Sequence, residues 1–394
     1  MRSKRAKKFI SEAHTRIAYV TTYDSNDIEN WSGSGYFISK TLEKHCGEVV
    51  RIGALHRYID GTLRIKHAFY RYLLGKGYLL DRSAKVLKSY ADQVARRLKG
   101  TNVDVVFSPG TLPICYLETT VPIVFWTDAT VAGLTDFYPD WSGLCDASLR
   151  DAKMMEQAAL SNCRLAIYTS SWAAETAIQN YKVDPAKVKV VPFGANLEYV
   201  PGSNHLQMII AKRPTDVCKL LFIGTDWYRK GGDIAVAVAE TLNRLGLKTQ
   251  LTVVGCDINE TAPEYVSFKG FVSKKTNEGR ALIHQLFVES HFLLVPSRAD
   301  CVPVVIAEAA SFGVPVVATD VGGISTVVTN NVNGHIFPSG PDFITEASRV
   351  ILNAMETPGI YRQLAMNSFA QYEDRLNWQS AGRRVHELLN SVVA

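Results

Sequence analysis

Short apolar runs, rich in β-branched residues, alternate with longer amphipathic stretches along most of the chain. In the first half, six such runs predict strands at Arg16–Thr22, Val49–Leu55, Asp104–Ser108, Pro122–Trp126, Leu165–Thr169 and Val188–Pro192. In the second half, five runs predict strands at Leu220–Ile223, Gln250–Val254, Val266–Phe268, Phe292–Val295 and Pro315–Ala318. Helical periodicity fills several intervals, at Ser83–Lys99, Asp146–Ser161, Trp172–Tyr181, Asp233–Leu245, Ala281–Glu289 and Pro303–Phe312. Nearly continuous apolar strands separated by helices indicate parallel sheets that are covered on both faces.

The alternation of strands and helices stops and restarts once, which predicts two domains. Periodicity is weakest over Glu198–Val217, and we place the linker there. We therefore predict an α/β protein with two doubly wound, Rossmann-like parallel-sheet domains, residues 1–200 and 201–376, followed by a helix over 377–394. Ligands of open parallel sheets bind beyond the C-terminal ends of the strands. Residues that directly follow strands are thus expected to line a deep cleft between the domains.

Composition narrows the class of protein. The 394 residues are 47% apolar and 21% charged, which is enough apolar material for two cores, and the net charge of +5 permits an anionic ligand or an anionic membrane surface. Seven cysteines occur without a Cys-x-x-Cys pair, which argues against a zinc site or a disulfide framework and favours a reducing compartment. The basic N-terminus lacks the apolar region of a secretory signal, and no apolar run is long enough to span a membrane. We expect a cytoplasmic protein without a nucleic-acid partner.

Two adjacent cations, Arg229 and Lys230, occupy a turn between a predicted strand and a predicted helix. The turn begins with Gly224 and Thr225, and the following helix starts near Asp233. Free amides at a helix start favour an anion, Arg can bind phosphate oxygens with two donors, and Lys adds a point charge. The pair therefore suits a diphosphate that gains negative charge as it leaves. The alternative is a solvated Arg-Lys pair in a surface turn.

Two carboxylates, Asp300 and Glu308, follow the predicted strand Phe292–Val295. Pro303 suits the first turn of a helix, which places Asp300 in the preceding loop and Glu308 about one turn into the helix. Asp300 could then meet a sugar, while Glu308 could accept two hydroxyl hydrogen bonds from a ribose. A helix-surface carboxylate is the alternative for Glu308, but its neighbours are apolar on both sides, so it needs a partner.

Two further candidates lie in the first half. Gly33 and Gly35 form a Gly-x-Gly turn after the first strand, where the backbone could approach a phosphate or sugar closely, or simply turn tightly. The missing third glycine argues against a dinucleotide fingerprint. Asp128 follows a central strand and could bind a sugar or acceptor hydroxyl, or cap a turn. No Asp-x-Asp occurs, so we expect no metal, with Arg229 and Lys230 neutralising the diphosphate instead.

Several stretches resemble the retaining glycosyltransferases of family 4, which have the GT-B fold. In the second half these are GTDWYRKGGD, VVGCD, FKGFVSKK and PSRADCVPVVIAEAASFGVPVVATDVGG, and in the first half, more loosely, WSGSGYF, TSSWAAETAIQNY and KVKVVPFGAN. The resemblance implies a nucleotide-diphospho-sugar donor held by the second domain. It also implies front-face substitution, in which the leaving phosphate takes the proton of the acceptor and no dedicated base is required. In this fold the last helix usually crosses back onto the first domain.

The resemblance also implies roles for individual residues. Arg229 and Lys230 would hold the diphosphate, and Glu308 would bind the ribose. The donor sugar would meet the backbone of Cys301, Val302, Pro303 and Val304. The base would lie by the ring of Phe271. The turn with Gly33 and Gly35 in the first domain would close over the donor. Two departures stand out: Asp300 replaces the first Glu of the family's Glu-x7-Glu segment, and Thr127-Asp128 lies where many members have His.

The stretch Arg64–Lys99 mixes basic, aromatic and aliphatic residues. It could rest on an anionic membrane surface as a peripheral contact, or bind an extended or lipid-linked acceptor. The alternative is an ordinary helix that packs its apolar stripe on the sheet, and Gly75 and Gly77 argue against one long interfacial helix.

The leading hypothesis is metal-independent, retaining transfer of a hexosyl group to a hydroxyl of a glycan or lipid-linked acceptor. Three alternatives remain open. A sugar-nucleotide epimerase would turn over donor without an acceptor, a phosphorylase would require free phosphate, and a catalytically silent subunit would only bind the nucleotide sugar.

Overall fold

A computed structural model of the chain describes residues 15–256 and 262–393. The basic N-terminal residues 1–14 and Asp257 of the VVGCD stretch lie outside the described residues.

The first domain is a parallel six-stranded sheet flanked by helices on both faces. Its strands follow the order β2-β1-β3-β4-β5-β6 and are β1 Thr15–Val20, β2 Gly47–Ile52, β3 Val105–Ser108, β4 Ile123–Thr127, β5 Leu165–Tyr168 and β6 Val188–Val190. Its helices are α1 Ser34–His45, α2 Gly61–Ala68, α3 Ala84–Leu98, α4 Val131–Leu134, α5 Asp146–Asn162 and α6 Ser171–Asn180. The central strands β3, β4 and β5 are buried at nearly every position because helices cover both faces, so side chains of both orientations enter a core.

The second domain repeats this design. Its strand order is β12-β11-β10-β7-β8-β9, with β7 Cys218–Ile223, β8 Thr249–Val254, β9 Val266–Phe268, β10 Phe292–Val295, β11 Val316–Thr319 and β12 Gly334–Phe337. The helices are α7 Ser203–Lys212, α8 Trp227–Lys230, α9 Gly232–Arg244, α10 Asn277–Glu289, α11 Val304–Ala310, α12 Ile324–Val327, α13 Phe343–Glu356 and α14 Pro358–Arg375. Two doubly wound parallel-sheet domains were predicted, and this architecture is confirmed.

The structure differs from the sequence-based expectation at two elements. The segment predicted as a linker contains helix α7, because Leu206 and Ile210 are buried in the core of the second domain. The edge strand β12 was not predicted, since it begins with a glycine and its other three residues are only half-buried and give little apolar signal.

The last helix, α15 (Trp378–Val393), returns to the first domain and packs against α1. Trp378 stacks on Phe37 with ring centroids 6.0 Å apart and on Phe193 at 5.6 Å, and it meets Trp126 edge-on at 5.8 Å. A Cβ at Gly382 would lie 2.4 Å from the His45 ring, so glycine permits the close approach of the two helices.

Candidate active site in the interdomain cleft

The turn after β7 is fixed against the loop after β10. Asp226 caps α8 by accepting a hydrogen bond from the Arg229 backbone N–H at 3.0 Å. Gly231 ends α8 with a left-handed φ of 76°, and a Cβ there would lie only 2.1 Å from the carbonyl oxygen of Pro296. Only glycine allows this approach, which brings the two cations of the turn beside the loop that holds Asp300.

Lys230 and Asp300 form an ion pair in this cleft. Their side chains are 17% and 7% exposed, and Ser297 Oγ donates a second hydrogen bond to the same Asp300 oxygen at 3.2 Å. The methylenes of Lys230 lie against Gly224, where a Cβ would come within 2.9 Å of them. A pair this poorly hydrated is costly to form, and buried charges with specific partners are frequent at functional sites.

Arg229 is held beside this pair by three contacts. Its guanidinium donates to the Ala299 carbonyl at 3.0 Å and to the Asp226 carboxylate at 3.2 Å, and it lies 4.8 Å from the ring centroid of Tyr138. Tyr138 comes from the first domain, so the cation–π contact crosses the cleft.

Tyr138 also binds the backbone of the second domain, because its hydroxyl oxygen accepts a hydrogen bond from the Cys301 N–H at 3.1 Å. Burial, with the charge of Asp300 beside it, raises the pKa of Tyr138 well above the ordinary tyrosine value, so it stays a neutral phenol. Sequence reasoning missed this residue. The signal available was an aromatic pair, Phe137-Tyr138, in the long loop that follows β4.

Asp128 follows β4 directly and faces the same region. Burial is the main cause that raises the pKa of Asp128 to about 6, and the negative charge of Asp300 raises this pKa further. A hydrogen bond with the Trp31 side chain acts in the opposite direction and lowers it. Asp128 and Asp300 therefore interact electrostatically across the cleft, one from each domain.

Glu308 is buried in α11, with 5% of its side chain exposed, and pairs with Lys274 at 2.5 Å. Lys274 also donates to the Asn196 carbonyl at 3.4 Å, which ties the pair to the segment that follows the first sheet. Glu308 was predicted to need a partner, and Lys274 is that partner. Sequence reasoning did not single out Lys274, although it lies in the FKGFVSKK stretch.

The glycine turn of the first domain adopts unusual backbone geometry. Trp31, Ser32 and Gly33 have φ values of 49°, 54° and 89°, and Asn196 donates to the Ser32 carbonyl at 2.9 Å. Such left-handed backbone at non-glycine residues is strained and is held only where the surroundings fix it. A Cβ at Gly35 would lie 2.2 Å from the Tyr23 hydroxyl oxygen.

The remaining candidates differ in placement. Cys301, Val302, Pro303 and Val304 lead into α11, and the Cys301 amide is engaged by Tyr138 as described. Thr225 and Phe271 have exposed side chains, with 67% of Phe271 accessible, so neither packs against the ion pair.

Within residues 15–256 and 262–393, no cluster of three or more His, Cys, Asp or Glu side chains is arranged to hold a metal ion. In the same residues, no helix is both long and apolar enough to cross a membrane.

Comparison with known proteins finds similarity to glycosyltransferases. Residues 218–354 match the family model described as Glycosyl transferases group 1. The gpi3 subunit of phosphatidylinositol N-acetylglucosaminyltransferase from Schizosaccharomyces pombe is 21% identical over 299 residues, which cover 74% of this chain and 62% of that protein. D-inositol 3-phosphate glycosyltransferase from Actinosynnema mirum is 30% identical over 205 residues, covering 48% of each. The chain thus spans about half to three-fifths of the length of these relatives.

Solved structures share the whole architecture. Sucrose-phosphate synthase from Thermosynechococcus elongatus superposes with a TM-score of 0.68 at 15% identity, over 96% of this chain and 99% of that one. Anabaena HepE in complex with UDP and glucose gives 0.63 at 16% identity, over 96% and 100%. WaaG, a glycosyltransferase involved in lipopolysaccharide biosynthesis, gives 0.64 at 16%, over 94% and 99%. At these identities the likeness establishes the fold, which is GT-B.

Proposed function

Residues 218–354 are a group 1 glycosyl transferase domain within a GT-B fold, and on this premise we propose that the chain transfers a hexosyl group from a nucleotide-diphospho-sugar to an acceptor hydroxyl. In this proposal the anomeric configuration is retained and no metal takes part. The acceptor is a glycan or a lipid-linked hydroxyl.

The observation that carries the proposal is the placement of Arg229 and Lys230 beside Asp300 at the cleft. As the sugar–phosphate bond breaks, negative charge grows on the leaving diphosphate, and two fixed cations stabilise that charge more than they stabilise the intact donor. Arg229 is prepared for this role by its bonds to Asp226 and Ala299, which hold the guanidinium in place before the donor arrives. When the donor binds, Lys230 gives up its hydrogen bond to Asp300 and makes one to the phosphate instead. The released Asp300 carboxylate then accepts a hydrogen bond from a hydroxyl of the donor sugar.

The second carboxylate accounts for the nucleoside end of the donor. Glu308 sits within α11 beside Lys274, and carboxylate oxygens can accept the two hydroxyl hydrogen bonds that a ribose diol offers. Anabaena HepE binds UDP and UDP-glucose on the same fold, which supports a nucleoside diphosphate donor here.

In this proposal the first domain supplies contacts to donor and acceptor, and the reaction requires no dedicated base from it. Asp128, which follows β4, accepts a hydroxyl hydrogen bond when ionised. The proton of the acceptor hydroxyl passes to the departing phosphate, so the acceptor oxygen forms the new bond to the anomeric carbon on the face that the phosphate leaves.

The relatives suggest which acceptors to test. Their names specify phosphatidylinositol and D-inositol 3-phosphate, so inositol phosphates and phosphatidylinositol belong in the acceptor panel beside simple sugars. A thermal-shift screen over nucleotide sugars identifies the donor first, because a ligand at 100 times its dissociation constant stabilises the fold by about 2.7 kcal/mol.

The decisive experiment measures transfer from that donor with and without a metal chelator. We expect full activity in chelator and a loss of about 10²–10³-fold in kcat for Lys230→Ala, by analogy with removal of one transition-state donor. Glu308→Ala, which removes the acceptor of the ribose hydroxyls, should lower kcat/KM through weaker donor binding. Lys219→Ala is the matched control, because Lys219 forms an ion pair with Glu289 at 2.8 Å near the opposite end of β7. Wild-type rates in both site variants would overturn the site assignment. Activity that is lost in chelator and restored by Mg²⁺ or Mn²⁺ would overturn metal independence.

A further inference from the structure

The connection between β2 and α3 exposes a cluster of large apolar side chains. Within the described residues, the three most exposed large apolar side chains all lie here, Tyr72 at 79%, Leu73 at 73% and Ile65 at 72%. Leu74 and Phe69 are also about half exposed. We call residues 61–80 the basic-apolar segment; it comprises α2, a π-helical turn at Phe69–Leu73 and the irregular stretch that follows, which makes one isolated bridge from Gly77 to Leu144.

Packing on the sheet does not explain these side chains. Leu63 and Tyr78 are buried and anchor the two ends of the basic-apolar segment. The predicted apolar stripe on the sheet is present in the next helix, α3, where Val86, Leu87 and Val94 are fully buried. Tyr70 stacks on Tyr78 with ring centroids 5.7 Å apart, whereas Ile65, Leu73 and Leu74 are at least half exposed to solvent. Together with Tyr72 they form an exposed apolar face.

The charge of the basic-apolar segment is equally one-sided. Residues 61–80 contain four Lys or Arg and no Asp or Glu, which gives +4, against +5 for the whole chain. The acids at its two borders are engaged elsewhere, because Asp60 pairs with Lys85 and Asp81 pairs with Arg57. Two acids from the neighbouring connection and helix lie close, because Asp140 shares a pocket lining with Arg71 and Lys76 and Asp151 interacts electrostatically with Lys66. Positive charge still predominates around the exposed apolar side chains.

The position of the basic-apolar segment relates it to the cleft. Gly77 N–H donates to the Gly143 carbonyl and the Cys145 N–H donates to the Gly77 carbonyl, both at 3.0 Å. These bonds join the segment to the loop between β4 and α5, the loop that also carries Tyr138. A pocket of about 350 Å³ opens at this junction, and its lining includes His67, Arg71, Lys76 and Tyr78, together with Asp140.

We propose that the basic-apolar segment docks on an anionic phospholipid bilayer. The exposed aliphatic and aromatic side chains enter the boundary between headgroups and acyl chains, while Arg64, Lys66, Arg71 and Lys76 bind lipid phosphates. A bilayer fits better than a protein surface because protein interfaces are depleted of Lys and of uncompensated charge in their cores. Docking would bring the cleft mouth to the membrane plane. The inference does not depend on the transfer reaction.

The test is vesicle co-sedimentation of the purified full chain, without donor or acceptor. Vesicles of phosphatidylcholine alone are compared with vesicles of phosphatidylcholine mixed with phosphatidylglycerol, at low and high salt. We expect binding to the anionic vesicles only, weakened by salt. The variant Arg71→Ala/Lys76→Ala lowers the partition coefficient about tenfold or more, since each cation near the surface contributes about a factor of five. The variant Ile65→Ser/Tyr72→Ser/Leu73→Ser lowers it by at least as much.

Matched controls carry the same chemical changes on the second domain, at exposed residues Lys212→Ala/Lys248→Ala and Met208→Ser/Leu245→Ser/Ile360→Ser. They should bind like wild type, and thermal unfolding checks that every variant is folded. Equal binding of wild type to both kinds of vesicle, or to neither, contradicts the proposal. So does a dimer in solution that the Ile65→Ser/Tyr72→Ser/Leu73→Ser variant breaks, because that face would then belong to a second copy of the chain.

Discussion

Glu156 shows what one buried carboxyl group costs the first domain. It lies in α5 with 2% of its surface exposed, and only one of its oxygens has a partner among the described residues, the Thr111 hydroxyl at 3.2 Å. Burial raises the pKa of Glu156 to about 7, although the positive charge of Arg82 acts in the opposite direction. The folded protein therefore holds a proton on Glu156 more tightly than the unfolded chain does.

This difference fixes the direction of a pH effect on stability. The stabilisation is complete below the ordinary glutamate pKa of 4.5 and is lost as the pH rises through about 7. We expect wild type to lose about 3 kcal/mol of unfolding free energy relative to Glu156→Gln between about pH 5 and about pH 8. Denaturant unfolding of both proteins measures the change, and other titrating groups such as Asp128 cancel in the comparison. Exposed Glu240→Gln is the control, and an unchanged difference between wild type and Glu156→Gln would refute the prediction.

Single residues also mark how far the site could be predicted. Arg229, Lys230 and Asp300 could be singled out because they lie in the connections that follow the apolar strands β7 and β10, where topology concentrates ligand contacts. Glu308 could be singled out because it is a carboxylate with apolar neighbours on both sides. Lys274 and Tyr138 were not identifiable. Lys274 pairs with Glu308 and Tyr138 binds the Cys301 amide, and both contacts join residues that are far apart in the sequence. Local periodicity in the sequence does not encode such contacts.

At the scale of elements, two tyrosines of the first domain pack tightly against Gly35 in the first turn of helix α1. The Gly35 carbonyl accepts a hydrogen bond from the Tyr19 hydroxyl at 2.8 Å, and the Tyr23 ring packs against the Gly35 Cα. Alanine at this position is a better helix former, but its Cβ needs the space that Tyr23 occupies.

The clash predicts that Gly35→Ala destabilises the protein by roughly 1–3 kcal/mol, as overpacking does, and weakens donor binding at the adjoining turn. Unfolding and donor titration measure the two effects. In a Tyr23→Ala background the same substitution should cost much less, because the obstructing ring is gone. Gly61→Ala is the control at the first residue of α2, where nothing lies within 4 Å of an added Cβ. An equal cost in both backgrounds would show that the contact with Tyr23 is not the cause.

Elements were predictable where apolar runs are long and buried, as in β4 and β10, whose bounds differ from expectation by at most one residue. Helix α7 was hidden because its flanking Pro, Gly and Asn residues suggested a linker, while Leu206 and Ile210 are buried by a distant part of the chain. Tertiary packing, rather than local preference, decides such short helices.

At the scale of the molecule, contacts between the two domains surround the cleft. Lys275 bridges to Asp27 and Glu29 of the first domain, both at 2.8 Å, and Ser273 donates to Glu29 at 2.7 Å. The hydrogen bonds from Lys275 lower the pKa of both carboxyl groups, so the bridges persist at neutral pH. All of these side chains are at least partly exposed, which makes the bridges sensitive to salt.

Weak bridges of this kind suit a cleft that must open to admit the donor. If they favour the arrangement in which both domains meet the donor, Lys275→Ala lowers the population that is competent to bind and weakens donor affinity by about twofold to fivefold. The double variant Asp27→Ala/Glu29→Ala, on the opposite domain, should produce the same loss, and combining it with Lys275→Ala should add nothing further. Donor titration by calorimetry measures these effects, and high salt should bring wild type to the affinity of the variants. Lys85→Ala is the control, because Lys85 pairs with Asp60 within one domain. Additive losses in the combined variant would mean that Lys275 acts on the neighbouring donor site directly, and not through contact between the domains.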